Sequence, residues 1–244
     1  GGPCFFMPDP RGVWRGMETY LKGLAASLPA KPRAILVISG HWEEQAFVFT
    51  GSVDHPGLIF DYYGFPPETY QLAWPAPGAP WLAERGRELV AAAGLPAGID
   101  PTRGLDHGVF IPLKVAFPEA DIPVVQMSLH ASLDPALHLA AGRALATLRD
   151  EGVLIVGSGM SFHNLRAYGD PRVHEPSAEF DRWLVHAAEA PFAERMRLLA
   201  DWQAAPWARL CHPREEHLLP LMVAAGASDE PGRHDYGEEV LSGA

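Results

Sequence analysis

The chain has little cysteine. Of its 244 residues only Cys4 and Cys211 carry thiols. Two are too few for a disulfide framework or a closed thiolate zinc site. The expectation is two free thiols in a reducing cytoplasm, with a single disulfide between these distant residues as the alternative. Positive charge is also scarce: 19 Lys+Arg stand against 30 Asp+Glu, for a net charge of -11. Nucleic-acid and membrane-surface binding need a basic footprint, so both roles are set aside. No apolar run approaches the ~20 residues of a membrane span. No secretory leader is visible. A glycine-rich phosphate loop followed by lysine is absent, as are internal repeats, low-complexity tracts and linkers. Gly1-Gly2-Pro3 opens without an initiator Met and Ser242-Gly243-Ala244 stops abruptly. Ordered sequence is therefore expected beyond both ends.

What is present is ordinary globular material, 48% hydrophobic and 20% charged, enough for one sizeable core. The run Ala34-Ile35-Leu36-Val37-Ile38 reads as a strand buried on both faces. It stops at Ser39-Gly40, and His41 follows. A second run, Val153-Leu154-Ile155-Val156, leads into Gly157-Ser158-Gly159-Met160-Ser161-Phe162-His163. Ligands of open α/β sheets bind beyond the carboxyl ends of strands, so His41 and His163 are placed where chemistry is usual. Further strands are expected over 45–50, closed by Gly51-Ser52, and 122–129. Helices are expected over 11–28, 81–93, 109–116, 134–148, 176–188, 191–202 and 213–225. The fold class is thus α/β: a single domain, 1–244, with a central mostly parallel or mixed sheet covered by helices on both faces. Between 54 and 80, Phe60, Tyr62, Tyr63, Phe65, Tyr70 and Trp74 lie among prolines and glycines. Such a segment either covers the core by aromatic burial or walls a pocket for a flat ligand.

Eleven histidines are many for this length. His55, His138, His174, His186 and His234 read as solvated or satisfied side chains, and His130, despite following a strand, has no supporting neighbours. His107, in Gly104-Leu105-Asp106-His107-Gly108, occupies a tight polar turn. His212 and His217 flank the start of the last helix, with 217 in its first turns. Imidazoles without cysteine partners suit Fe, Zn, Cu or Ni. A hydrogen-bonded buried histidine is the competing reading of each one. Gly157-Ser158-Gly159 approaches a nucleophile elbow, but in the wrong frame. Cys4 and Cys211 read as small core side chains rather than nucleophiles.

Six motifs occur in order: Gly1-Gly2-Pro3-Cys4-Phe5-Phe6, Ser39-Gly40-His41-Trp42, Tyr62-Tyr63-Gly64-Phe65-Pro66, Leu105-Asp106-His107-Gly108, Gly157-Ser158-Gly159-Met160-Ser161-Phe162-His163-Asn164 and His212-Pro213-Arg214-Glu215-Glu216-His217-Leu218-Leu219-Pro220. Together they resemble the DOPA-dioxygenase type of the class III extradiol ring-cleavage dioxygenases, nearly end to end. The resemblance implies a non-haem Fe(II) enzyme, with zinc found in some relatives, that opens a catechol ring with O₂. In that family the first metal ligand is a histidine opening a His-Gly-Gly-Gly-Pro-like turn. This chain begins inside that turn. His41 and His217 match the second and third ligands. His163 matches an acid/base histidine beside the metal that can also coordinate it. His107 matches a pocket histidine that contacts substrate, and His212 a supporting or helix-capping one. Tyr62, Tyr63 and Phe65 would cover the planar ring.

The partners implied are a small catecholic substrate and O₂, with no nucleic acid, no membrane and no interface marked for oligomerisation. Two other readings use the same residues: a zinc-dependent hydrolase that activates water, and a non-catalytic metal- or ligand-binding protein on the same scaffold.

Overall fold

A computed structural model describes residues 2–51 and 54–237. Gly1, Ser52 and the Ser242-Gly243-Ala244 end lie outside the described residues. A mixed sheet of five strands forms the centre, in the order β4-β2-β6-β1-β7. Its middle is β1 (Ala34–Glu44), with β6 (Val124–His130) on one side and β7 (Val153–Ser158) on the other, both parallel to it. Ile35 pairs with Val124 and with Leu154. Each crossover between parallel strands carries helices, as that geometry demands. β2 (Phe47–Thr50) runs antiparallel to β6 and parallel to β4 (Ala97–Asp100).

Side chains alternate across β1 as a period of two requires. Ala34, Leu36 and Ile38 enter one apolar cluster, with side chains from α2 (Pro80–Ala92), α4 (Pro135–Leu145), α5 (His174–Glu189), α6 (Phe192–Ala200) and α8 (Leu219–Gly226). Ile35 and Val37 enter the other, with α3 (His107–Ala116) and partly buried Leu24 of α1 (Arg15–Ser27). The sheet is therefore covered on both faces, as the unbroken apolar run required. A short parallel pair, β3 (Leu58–Ile59) with β5 (Leu105–Asp106), pins the aromatic segment beside the second cluster.

Of the boundaries that differ from expectation, two matter to the site. β1 does not stop at Ile38. It runs to Glu44, with its register against β6 broken between Ile38 and Glu43. Ser39, Gly40, His41 and Trp42 form the irregular stretch, so His41 sits in a bulge inside the strand rather than beyond it. Bulges re-aim side chains in this way beside active sites. The last helix starts at Leu219 rather than near Pro213. His217 consequently lies in the turn before α8, not in its first turns. The strand β4 is an addition to the expected set: Ala97-Gly98-Ile99-Asp100 has too little apolar alternation to read as one.

Candidate metal centre

Four segments bring four histidines together. The bulge of β1 supplies His41, the start of α3 supplies His107, the loop after β7 supplies His163, and the turn before α8 supplies His217. His41 Nε2 and His217 Nε2 lie 3.2 Å apart. The His41 and His107 rings stand 4.0 Å apart. The His163 ring stacks on that of His217 at 3.4 Å.

Small residues permit this convergence. A Cβ on Gly40 would stand 2.8 Å from the Glu216 carbonyl and 3.3 Å from the His217 ring. One on Gly108 would meet Ser39 Oγ and come within 3.1 Å of His41. The loop after β7 is stitched to the segment before α8 by backbone bonds: His163 N–H donates to the Cys211 carbonyl at 2.9 Å and Met160 N–H to the His217 carbonyl at 3.0 Å. Pro112 inside α3 has no N–H, so it cannot bond the carbonyl one turn back, that of Gly108. Ser158 Oγ donates to that oxygen at 2.5 Å, which ties the end of β7 to the start of α3. Ser158 is thereby a clamp, not a nucleophile.

Two carboxylates that sequence reasoning passes over hold the rings. Asp61 Oδ1 accepts both the backbone N–H of His107 at 3.0 Å and its Nδ1–H at 2.7 Å. His41 Nδ1 stands 3.8 Å from Asp61 Oδ2. Glu216 Oε1 accepts from His217 Nδ1 at 3.0 Å and lies 3.5 Å from His163 Nδ1. Arg214 grips Glu43 of the β1 bulge with two bonds of 2.6 Å and stands 3.5 Å from Glu216 Oε2. No periodicity marks a loop carboxylate, although Asp61 adjoins Tyr62 and Glu216 adjoins His217.

The electrostatics follow from burial and crowding. Desolvation first, then the neighbouring His107 and His217, push the His41 pKa down to about 3. Burial also lowers His217, against the opposing pull of Glu216. Both imidazoles are therefore neutral near pH 7, the form that binds metals. Burial alone would raise Glu216; its hydrogen bonding to His163 and His217 outweighs this and leaves its pKa lowered. Asp61 is lowered in the same way, burial being outweighed by its bonds from His107.

The donor set fits a transition metal. Two nitrogens about 2.1 Å from one ion, at ordinary coordination angles, stand roughly 3.0–3.4 Å apart, which matches the His41–His217 separation. Glu216 turns the Nε2 of His217 toward that point by occupying Nδ1, the usual carboxylate–histidine support of a metal ligand. Glu216 Oε2 is buried without a hydrogen-bond partner.

The remaining expected residues divide. Tyr62 is buried, its ring edge-on to His107 at 5.6 Å and its hydroxyl donating to the Thr69 carbonyl at 2.6 Å. Phe65 packs edge-on against Tyr62 at 5.5 Å. Tyr63, expected beside them, is 87% exposed, because successive residues of the extended segment face opposite ways. The aromatic segment thus covers the core as expected, building the second cluster, and it also carries Asp61. His212 is fully buried, bonds the Ser161 carbonyl through Nε2 at 2.9 Å, and is the C-cap residue of α7 (Ala208–Cys211). It supports the loop bearing His163. His138 is not at the surface; it is buried with both ring nitrogens bonded. Both cysteines are buried and free, and desolvation pushes Cys4 up to about 11 and Cys211 to about 12. They are inert thiols. A surface depression of about 960 Å³ lies at the other end of β7, lined by Arg143, Arg149 and Asp229 among others, and holds none of these histidines. Among the described residues no helix is long and apolar enough to cross a membrane.

Comparison with known proteins bears on this arrangement. Residues 9–242 match the family described as the catalytic LigB subunit of aromatic ring-opening dioxygenase. The chain is 40% identical to the dioxygenase tasH of Hapsidospora irregularis, over 99% of this chain and 80% of that protein. It is 40% identical to the 4,5-DOPA dioxygenase extradiol of Beta vulgaris, over 94% and 85%. Against the 4,5-DOPA dioxygenase extradiol of Escherichia coli K12 the identity is 37%, over 84% and 76%. In structure it resembles the crystallised uncharacterized protein JW3007 of Escherichia coli K12, with a TM-score of 0.70 and 32% identity, over 87% of this chain and 82% of that one. The chain belongs to the LigB family of aromatic ring-opening dioxygenases, in its DOPA-dioxygenase-type extradiol branch.

Proposed function

We propose that this extradiol dioxygenase opens the ring of a small catechol with O₂, using Fe(II) held by His41 and His217, with His163 able to join them. One observation carries the reading: two neutral imidazole nitrogens face each other at 3.2 Å, and a histidine–carboxylate pair stands on either side. Bound there, the ion would supply Lewis acidity toward catechol oxygens and electrons for O₂. Imidazole and carboxylate donors of this kind also accept Zn²⁺, so the choice of Fe(II) rests on the redox demand of ring opening.

The chain's own groups would handle the protons. A catechol must lose protons before its ring can react, and a base must take them. His163 has Nδ1 directed at Glu216 Oε1, which leaves Nε2 as the working atom. A proton taken at Nε2 makes an imidazolium, and the adjacent carboxylate stabilises it. His107 is paired in the same manner with Asp61. The two pairs flank His41 and His217, so one can receive a proton on one side while the other donates on the opposite side. Tyr62 and Phe65 back His107 with apolar surface, which would steady a planar ring and exclude water.

The test is anaerobic loading with Fe(II), then O₂ uptake with a series of catechols. The expected result is one O₂ consumed per ring opened, with a yellow product, and a kcat reduced by roughly 10²–10⁴-fold in His163→Ala, the range for loss of a general acid–base group. No O₂ uptake with any catechol, combined with ester hydrolysis by the Zn²⁺-loaded protein, would overturn the proposal in favour of a hydrolase.

A further inference from the structure

A buried polar seam runs beneath the histidines, and the ring-opening chemistry above makes no use of it. Asp106 occupies the N-cap position of α3, where an aspartate ordinarily bonds the helix's own amides. Its side chain makes no such bond. Asp61 takes that duty from across the site by accepting the His107 backbone N–H. Asp106 is fully buried and turns into the sheet instead. Its Oδ1 accepts from Ser39 Oγ at 2.9 Å. Its Oδ2 accepts from Gln126 Nε2. Gln126 Oε1 accepts the Asp106 backbone N–H at 3.3 Å, so the two residues are doubly joined. Arg103 Nη2 stands 3.7 Å from Oδ2. Ser39 Oγ in turn accepts the backbone N–H of His41 at 3.2 Å. Gln126 N–H donates to Thr50 Oγ1 at 2.9 Å. The seam therefore passes from β2 through β6 and the start of α3 into the β1 bulge.

We propose that Asp106 is a positioning residue for the metal centre. Through Ser39 it fixes the backbone that aims His41. Through its own peptide it fixes the residue next to it, His107. It thereby sets the separation of two rings that stand on different elements. A bulge lacks the ladder bonds that hold a regular strand, so the His41 backbone needs another anchor, and the Ser39 hydroxyl is the one present. Ser39, Gln126 and Arg103 all present donors to the two oxygens of Asp106. This inference rests on the reading of His41 and His107 as working residues of the ring-opening site.

The experiment compares wild type with Ser39→Ala, Asp106→Asn and the reciprocal exchange Asp106→Asn/Gln126→Glu. Ser39→Ala removes the hydroxyl that joins Asp106 Oδ1 to the His41 amide. Asp106→Asn sets two amides against each other and leaves one donor unmet. The exchange restores a carboxylate–amide pair with its direction reversed. Three quantities are read: hydrogen exchange of the His41 backbone amide in the metal-free protein, the visible spectrum of the Co(II)-loaded protein, and kcat with Fe(II) and catechol.

Both single variants should exchange the His41 amide at least 10-fold faster and shift the Co(II) spectrum. Their kcat should fall roughly 10–100-fold, the usual cost of losing a ligand's supporting partner. The exchange variant should recover most of all three. Unchanged amide protection and an unchanged Co(II) spectrum in both single variants would overturn the proposal. So would an exchange variant no nearer wild type than Asp106→Asn. If Asp106→Asn fails to fold, Ser39→Ala decides alone. A wild type that opens no catechol ring would refute the functional reading, while the amide and Co(II) measurements still decide the role of Asp106.

Discussion

Glu216 serves two rings with one carboxylate: His217 at 3.0 Å and His163 at 3.5 Å. Glu216→Gln keeps the size but halves the acceptor capacity and removes the charge. It should weaken metal binding by about 10–100-fold, read by competition with a chelating dye, with little change in secondary structure by circular dichroism. An unchanged affinity would mean that backbone alone aims His217. Histidines can be picked out of the sequence because there are few reasons to place one directly after a buried run. Asp61 and Glu216 cannot, because a loop carboxylate is usually solvated, and only tertiary contact shows which one is not. His138 shows the converse. Its surroundings in sequence are bland, yet its Nδ1 bonds the Asp134 carbonyl at 2.7 Å and its Nε2 accepts the His130 amide at 3.1 Å. Accepting at Nε2 requires the neutral ring, and burial pushes its pKa down to about 4. The unfolded chain, titrating near 6.5, binds more protons between those values. Stability should thus be full above pH 6.5 and fall progressively toward pH 4, by up to about 3 kcal/mol, with no further loss from this group below that. Urea unfolding of wild type and His138→Gln across pH 4.5–7.5 checks it: the variant's curve should be flatter by one proton. Equal slopes would exclude His138 as the source.

At the scale of elements, the apolar runs of β1 and β7 are legible in the sequence because five and four consecutive branched or apolar residues have few other homes. Their consequence, a sheet covered on both faces, is legible with them. The bulge in β1 is not, because the residues that break the register are an ordinary Ser-Gly-His-Trp. Nor is the start of α8, where Pro213 suggests a first turn that the ion pair of Arg214 with Glu43 and the His217 turn pre-empt. Gly40 joins these two places. Its missing side chain lets the turn before α8 close on the bulge. Gly40→Ala should force the Glu216–His217 turn outward, at about 1–3 kcal/mol in stability and at least a 10-fold loss of metal affinity. Gly23, inside α1, has open space where a Cβ would stand, with nothing within 4 Å. Gly23→Ala should therefore stabilise the protein by about 0.5–1 kcal/mol, the helix-interior difference between the two residues. The pair separates close approach from glycine's general cost: thermal denaturation should move in opposite directions, and a common direction would refute the contact argument for Gly40.

For the molecule as a whole, the centre is a cross-link between parts of the chain far apart in sequence. Residues 41 and 217 approach within hydrogen-bond distance, and 61, 107 and 163 close around them. An ion shared by 41 and 217 would bind the folded chain and scarcely the unfolded one, since the unfolded chain would have to close a loop of well over a hundred residues to form the pair. Mass action then makes metal a stabiliser of the entire fold. At free metal about a thousand times its dissociation constant, the gain is about 4 kcal/mol, which for a chain of this size corresponds to a rise in Tm of roughly 8–16 °C. Scanning calorimetry with Co(II) or Zn²⁺ should show that rise, and a chelator should reverse it. In His217→Ala the rise should largely vanish although the metal-free Tm stays within a few degrees of wild type, because the ring contributes its nitrogen to the ion and little to the two apolar clusters. A full metal-induced rise in that variant would show that 41 and 217 do not share an ion, and the reading of the site built on their 3.2 Å approach would fall with it.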